Sequence, residues 1–129
     1  DVIAGFPTET KPMFDNTVEL IKEAGLTWLH VFPYSARDGT PASRMPQIDK
    51  NLIRERAASL RILGTEMEYT FLDSQIGHNQ RILMESEKIG RSEHFAKVRV
   101  TGRTVKSGQL LTLCPTGREG QILVAEHIK

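Results

Sequence analysis

The sequence predicts an α/β segment followed by an all-β segment, and three patterns carry that expectation. A short apolar run, a helical repeat and a second β-rich run follow one another within the first 32 residues. A long amphipathic helical stretch comes next. From Gln75 the apolar periodicity changes to two, broken repeatedly by glycine. These changes predict two domains, 1–73 and 74–129.

Residues 2–6 read as a buried strand. Such a strand needs neighbours on both sides, so the chain is expected to be a piece of a longer polypeptide. Thr10 is a helix N-cap, Pro12 fits the first turn, and Phe14, Val18 and Ile21 recur at helical spacing up to a stop at Gly25. The β-branched and aromatic residues 27–32 form the next strand, which makes a βαβ unit with a parallel pair. A long loop with three prolines and a glycine covers 33–47. Asp49 then caps a helix carrying Ile53, Ala57, Leu60, Leu63, Met67 and Phe71 on one face and running to about Asp73.

The second segment is expected to hold strands at 81–88, 95–101, 109–113 and 121–128, separated at Gly90, Gly102, Gly108 and Gly117/Gly120. Ala96, Val98 and Val100 face one way, and Lys97, Arg99 and Thr101 the other. So few short strands close most naturally into a small, partly open barrel of the oligonucleotide-binding (OB) type.

Charge divides along the same line. The net charge of the whole chain is only +1, but residues 1–74 balance at −3 and residues 75–129 at +4. A basic second half suits a polyanionic partner. No apolar run approaches the roughly 20 residues a membrane helix needs, so no membrane partner is expected. The single Cys114 excludes an internal disulfide, suits a reducing, cytoplasmic setting, and reads as a small core residue of a strand. No Cys/His spacing suggests a metal site, and no nucleophile–base–acid set is present, so no catalytic residue is assigned. His30 reads as a structural strand histidine.

Two strings are more specific. Asp1-Val-Ile-Ala-Gly-Phe-Pro-Thr-Glu-Thr10 resembles a late barrel strand of radical S-adenosylmethionine (SAM) enzymes, specifically the tRNA methylthiotransferases. Leu29-His-Val-Phe-Pro-Tyr-Ser-Ala-Arg-Asp-Gly-Thr-Pro-Ala42, with Arg44-Met-Pro46, resembles the next strand and loop of that family. The helix with Arg54-Glu-Arg56 and the basic β-rich tail continue the resemblance, the tail being similar to a TRAM domain. The resemblance implies the last βα units of a radical-SAM partial TIM-type barrel, followed by an OB-like TRAM barrel. Leu-His-Val-Phe-Pro-Tyr-Ser favours the branch acting on N6-threonylcarbamoyladenosine over the one acting on isopentenyladenosine. A branch acting on a ribosomal-protein aspartate typically has an acidic residue where Arg37 stands.

The family's cluster-binding cysteines are absent, and iron–sulfur ligation needs several thiolates. SAM and two 4Fe–4S clusters are therefore expected of a longer parent enzyme, with no metal ligand among these residues. Asp1 stands where the related strand motif often has its first glycine, Glu9 comes one residue late, and Lys11-Pro12 replaces the usual acidic residues.

The resemblance places Gly5, Glu9, Phe32, Tyr34 and Ser35 near the cofactor. For Glu9 the competing account is charge complementarity at a helix start, and for Phe32 it is core packing. Arg37 reads as a phosphate or carboxylate contact with Thr40 beside it, or as part of a stabilised turn. Arg81, Lys88, Arg91, Lys97, Arg99, Arg103, Lys106 and Arg118 are the tail's RNA contacts, with His94 and Phe95 available to stack on an unpaired base.

The expected parent methylthiolates threonylcarbamoyladenosine beside the anticodon of tRNA, working as a monomer. This chain alone would be inactive, contributing a SAM-facing wall and a surface for the anticodon stem-loop, with the rest of the parent polypeptide as its other partner. The alternatives are an RNA-binding module in which the first half is only scaffold, or methylthiolation of a ribosomal protein or of isopentenyladenosine tRNA.

Overall fold

A computed structural model of the chain describes residues 1–128. It divides into two compact units, the first Asp1–Met67 and the second from Glu68 onward.

In the first unit, β1 (Val2–Ala4), α1 (Lys11–Ala24) and β2 (Val31–Pro33) form the βαβ unit. The strands pair in parallel, Val2 opposite Val31 and Ala4 opposite Pro33. Thr10 caps α1, its Oγ1 accepting from the Met13 amide at 3.3 Å. Gly25 ends it in the left-handed region, φ 62°, where a side chain is strained. A 3-10 turn at Ala42–Arg44 leads into α2 (Lys50–Gln75), which crosses from the first unit into the second. Ala4, Ile21, Ala57, Leu60 and Leu63 form the core, with Phe14, Val18, Leu29 and Met67 packed against it.

Both strands are shorter than the sequence suggests. β1 stops where Gly5 turns to φ 80°, and β2 begins only at Val31. Residues 27–30 stay out of the strand because Trp28 adopts φ 57° and Leu29 packs against Gly64 in the core. Tertiary packing here overrides β propensity. His30 consequently precedes the strand, exposed and 3.1 Å from the Asp1 carboxylate.

Among the described residues the second unit holds six strands, where the sequence suggests four. They are β3 (Gln80–Met84), β4 (Ile89–Ser92), β5 (Lys97–Gly102), β6 (Leu110–Leu113), β7 (Pro115–Glu119) and β8 (Ile122–His127). The expected strand at 81–88 is β3 plus a turn. Ser86 Oγ accepts from the Lys88 and Ile89 amides there and folds the chain back into β4. Gly90 lies inside β4 because a Cβ would meet Ile82, Met84 and the Leu83 carbonyl. Gly117 lies inside β7, at a register shift between Pro115 and Gly117.

The sheet runs β6-β3-β4-β5-β8-β7. β5 and β8 are parallel, and every other pair is antiparallel. Only Cys114 separates β6 from β7, yet β6 lies at one end of this order, beside β3, and β7 at the other, beside β8. One stretch of backbone therefore forms both edges, and the sheet must curl to allow it, a geometry compatible with a small β-barrel. Ala96, Val98 and Val100 are buried inside the curl together with Ile82, Met84, Leu123 and Ala125. Cys114 itself is exposed, because it sits in the break between two strands and not on their inner face.

Candidate functional site

The turn after β1 is held by charge. Glu9 Oε1 accepts from the Gly5 amide at 3.1 Å and from Arg56 Nη1 at 2.8 Å. Arg56 Nη1 also donates to the Glu9 carbonyl, and its guanidinium lies over the Phe14 ring. The side chains of Arg56 and Glu9 are only 8% and 12% exposed. The Glu9 carboxylate is thus engaged inside the protein. Gly5 has a packing role as well, since a Cβ there would run into Ile53. Arg56 was noted in the sequence only as part of a string. Its phase with Ile53, Ala57 and Leu60 on α2 was the available sign of burial.

Tyr34 and Ser35 continue from β2, the Tyr34 amide donating to the Ala4 carbonyl at 2.8 Å. Both line a cavity of about 520 Å³ shared with Gln47, Lys50, Ile53 and Arg54 from the start of α2. That volume is in the range of small-ligand sites. Ile53 and Pro33 offer apolar wall, while Lys50 and Arg54 supply positive charge at a helix N-terminus. The Tyr34 hydroxyl is buried without a hydrogen-bond partner among the described residues. Its ring packs edge-on against Phe6 at 5.6 Å. Apolar wall and two neighbouring cations together can accommodate a partly apolar, anionic ligand. Gly5, Glu9 and Phe32 lie outside the cavity lining, and Phe32 is exposed. Gln47, Lys50 and Arg54 were not singled out from sequence, because nothing local marks a loop and a helix start as neighbours of a strand end.

In the loop beyond, Thr40 makes the turn. Its Oγ1 donates to the Arg37 carbonyl at 2.7 Å and accepts from the Ser43 amide. The Arg37 side chain takes no part in that turn.

The basic residues of the second unit fall into two groups. Arg81, Arg91, Arg99 and Arg118 are ion-paired, with Glu93, Glu85, Glu119 and Asp73 respectively. Lys88, Lys97, Arg103 and Lys106 form no ion pair among the described residues. Lys88, Arg99 and Arg103 share a groove of about 380 Å³ running along Val100–Thr104. On the outer sheet face, the register sets Leu110, Leu83, Arg91 and Lys97 side by side on four successive strands. Arg118 serves the fold: its Nε donates to Asp73 Oδ1 at 2.6 Å and its guanidinium covers the Tyr69 ring. With Gln121 bonded to Glu68, this ties the last turns of α2 to β7 and β8. The Arg118 hydrogen bond holds the Asp73 carboxyl below its ordinary range. Burial raises the Glu68 carboxyl, partly offset by Gln121. His94 packs edge-on against Phe71 at 5.9 Å, whereas Phe95 is exposed. Among the described residues no three His, Cys, Asp or Glu side chains converge as a metal site would require.

No protein-family model matches the chain. It is 50% identical over 100 residues to the threonylcarbamoyladenosine tRNA methylthiotransferase of Rickettsia prowazekii, covering 78% of this chain and 24% of that protein. It is 35% identical over 105 residues to a probable enzyme of the same name from Methanocaldococcus jannaschii, covering 81% and 25%. A tRNA-2-methylthio-N(6)-dimethylallyladenosine synthase of Cereibacter sphaeroides is 30% identical over 134 residues, covering 99% and 31%. The chain spans about a quarter of the length of the first two relatives. The chain is therefore homologous, over nearly all of its length, to part of the tRNA methylthiotransferases.

Proposed function

We propose that this chain forms the RNA-docking region and part of the cofactor-facing wall of a tRNA methylthiotransferase acting on N6-threonylcarbamoyladenosine beside the anticodon. The observation that carries the docking role is the set of unpaired cations on the second unit, Lys88 and Arg103 in one groove and Lys97 on the outer sheet face. Cations left without carboxylate partners gain most from phosphate, and each neutralised phosphate releases counterions. The 50% identity to a threonylcarbamoyladenosine enzyme favours that branch. In this reading the second unit is a TRAM-type, OB-like barrel, and 1–73 is the end of a radical-SAM domain.

Bound SAM and two 4Fe–4S clusters supply the radical and the methylthio group in such enzymes. Among these residues, Tyr34 and Ser35 with Lys50 and Arg54 would face SAM, in the cavity of about 520 Å³. Gly5 and Glu9 would shape that wall from behind, through Ile53 and Arg56. No residue described here is assigned to a cluster. The engaged state of Glu9 also favours a second reading, in which the first unit is only scaffold and the chain simply binds RNA.

Fluorescence anisotropy with a labelled anticodon stem-loop, across a salt series, tests the docking role. Binding with a steep inverse salt dependence is expected, and no binding at low salt removes it. Adding SAM to the isotopically labelled chain separates the two readings: shifted Tyr34 and Ser35 resonances support the wall, and an unchanged spectrum supports the scaffold.

A further inference from the structure

Phe95 is an anomaly of the second unit. The residue is 74% exposed and its backbone sits at φ 65°, a region that disfavours bulky residues. The turn around it is fully built. The buried Ser92 accepts at Oγ from the His94 and Ala96 amides, and its carbonyl accepts from the Phe95 amide at 3.0 Å. Arg91 Nη1 donates to the Phe95 carbonyl at 3.3 Å. Glycine or asparagine would satisfy this turn with less strain, so the backbone conformation does not explain the ring.

The surroundings show what the ring is placed to do. It borders a recess of about 240 Å³ with Arg81, Leu83, Arg91, Glu93 and Leu110, the Glu93 carboxylate being paired with Arg81 at 3.8 Å. Leu83 and Leu110 are themselves 52% and 59% exposed, an apolar floor beside an exposed ring. Arg91 and Lys97 stand directly opposite one another on β4 and β5, an arrangement of like charges that destabilises a sheet. Glu85 relieves only Arg91. A two-fold contact centred on the ring would set these cations against their own copies, whereas RNA brings both a flat apolar face and negative charge.

We propose that Phe95 is a stacking platform for one unpaired RNA base, with Leu83 and Leu110 flooring the seat and the unpaired Lys97 meeting an adjacent phosphate. This deepens the tRNA reading and rests on it: the docking surface grips an unpaired nucleotide as well as the backbone. Aromatic stacking of this kind tolerates any base, so it adds affinity for unpaired RNA without reading sequence.

The test uses the 129-residue chain with three labelled RNAs: a stem-loop, the same stem-loop with abasic loop positions, and a blunt duplex of equal charge. Phe95→Gly is expected to weaken stem-loop binding about tenfold, to leave duplex binding and the salt slope unchanged, and to raise the melting temperature. The abasic RNA should bind wild type and Phe95→Gly alike, and Phe95→Trp should keep wild-type affinity. Equal stem-loop binding by wild type and Phe95→Gly overturns the platform and leaves the tRNA reading standing. A lowered melting temperature in Phe95→Gly shows that the ring serves the fold, and also overturns it. So does concentration-dependent self-association that Phe95→Gly abolishes, which would assign the patch to a second copy. Failure of the wild type to bind any RNA at low salt removes the tRNA reading, and the platform with it.

Discussion

The two units use their cations in opposite ways. In the first, Arg56 is sealed inside against Glu9 and fixes the turn that follows β1. In the second, Lys88, Lys97, Arg103 and Lys106 stand outside a sheet whose interior is built mainly from Ile82, Met84, Val98, Val100 and Leu123, with Gln80 and Ser92 as buried polar residues. The sheets differ as well. β1 and β2 have only each other among the described residues, and the register partners Ile3 and Phe32 are exposed together on one face of the pair. The second sheet curls until 110–119 supplies both of its edges. A buried, paired charge is architecture, whereas exposed, unpaired charges are the ones left available to a polyanion in the proposed reading. The difference lies in the partners, not in the residue type.

The contrast can be broken most forcefully at Arg56. Arg56→Ala leaves the Glu9 carboxylate buried without its counter-charge, a loss of about 3–5 kcal/mol. Hydrogen exchange should accelerate for amides in 2–33 and stay unchanged for those in 80–127. Uniform acceleration would mean that the units do not fold separately.

Gly90→Ala attacks the other unit, since the added Cβ meets the Leu83 carbonyl and the Ile82 side chain. Overpacking of this kind costs about 1–3 kcal/mol, and here the protection loss should fall on β3 and β4 alone. A stability equal to wild type, read by urea unfolding, would show that the close approach of those strands is incidental.

A smaller effect sharpens the account of Arg118. Its hydrogen bond lowers the Asp73 carboxyl in the folded chain, so the stabilisation is present above the ordinary aspartate value of about 3.9 and disappears as pH falls through the lower folded value. Asp73→Asn should therefore melt below wild type at pH 7 and converge with it in acid, once the carboxyl is protonated in the folded chain. A gap that persists in acid would assign the loss to packing rather than to charge.

Sequence periodicity made the βαβ order, the long helix and the inward row Ala96, Val98, Val100 legible, because each is a local pattern. It misplaced the first strand of the second segment, since the Glu85-Ser86-Glu87-Lys88 turn has no glycine or proline and depends on one serine hydroxyl. Gly90 looked like a breaker, though it serves a cross-strand approach visible only once β3 and β4 are paired. Tyr34 and Ser35 could be singled out, but not their neighbours Lys50 and Arg54, which reach the same cavity through tertiary folding. Which arginines are paired was equally hidden. Arg91 finds Glu85 six residues away, and Arg99 finds Glu119 only through the sheet.

The central claim is that unpaired cations of the second unit dock RNA. Its most direct test is the salt dependence of anticodon stem-loop affinity for wild type and for the double variant Lys88→Glu, Arg103→Glu. With about three phosphates neutralised, log K should fall with log salt at a slope of roughly −2 to −3, and the variant should flatten it by about 1.5. A wild-type slope near zero, or an unchanged slope in the variant, would contradict the account.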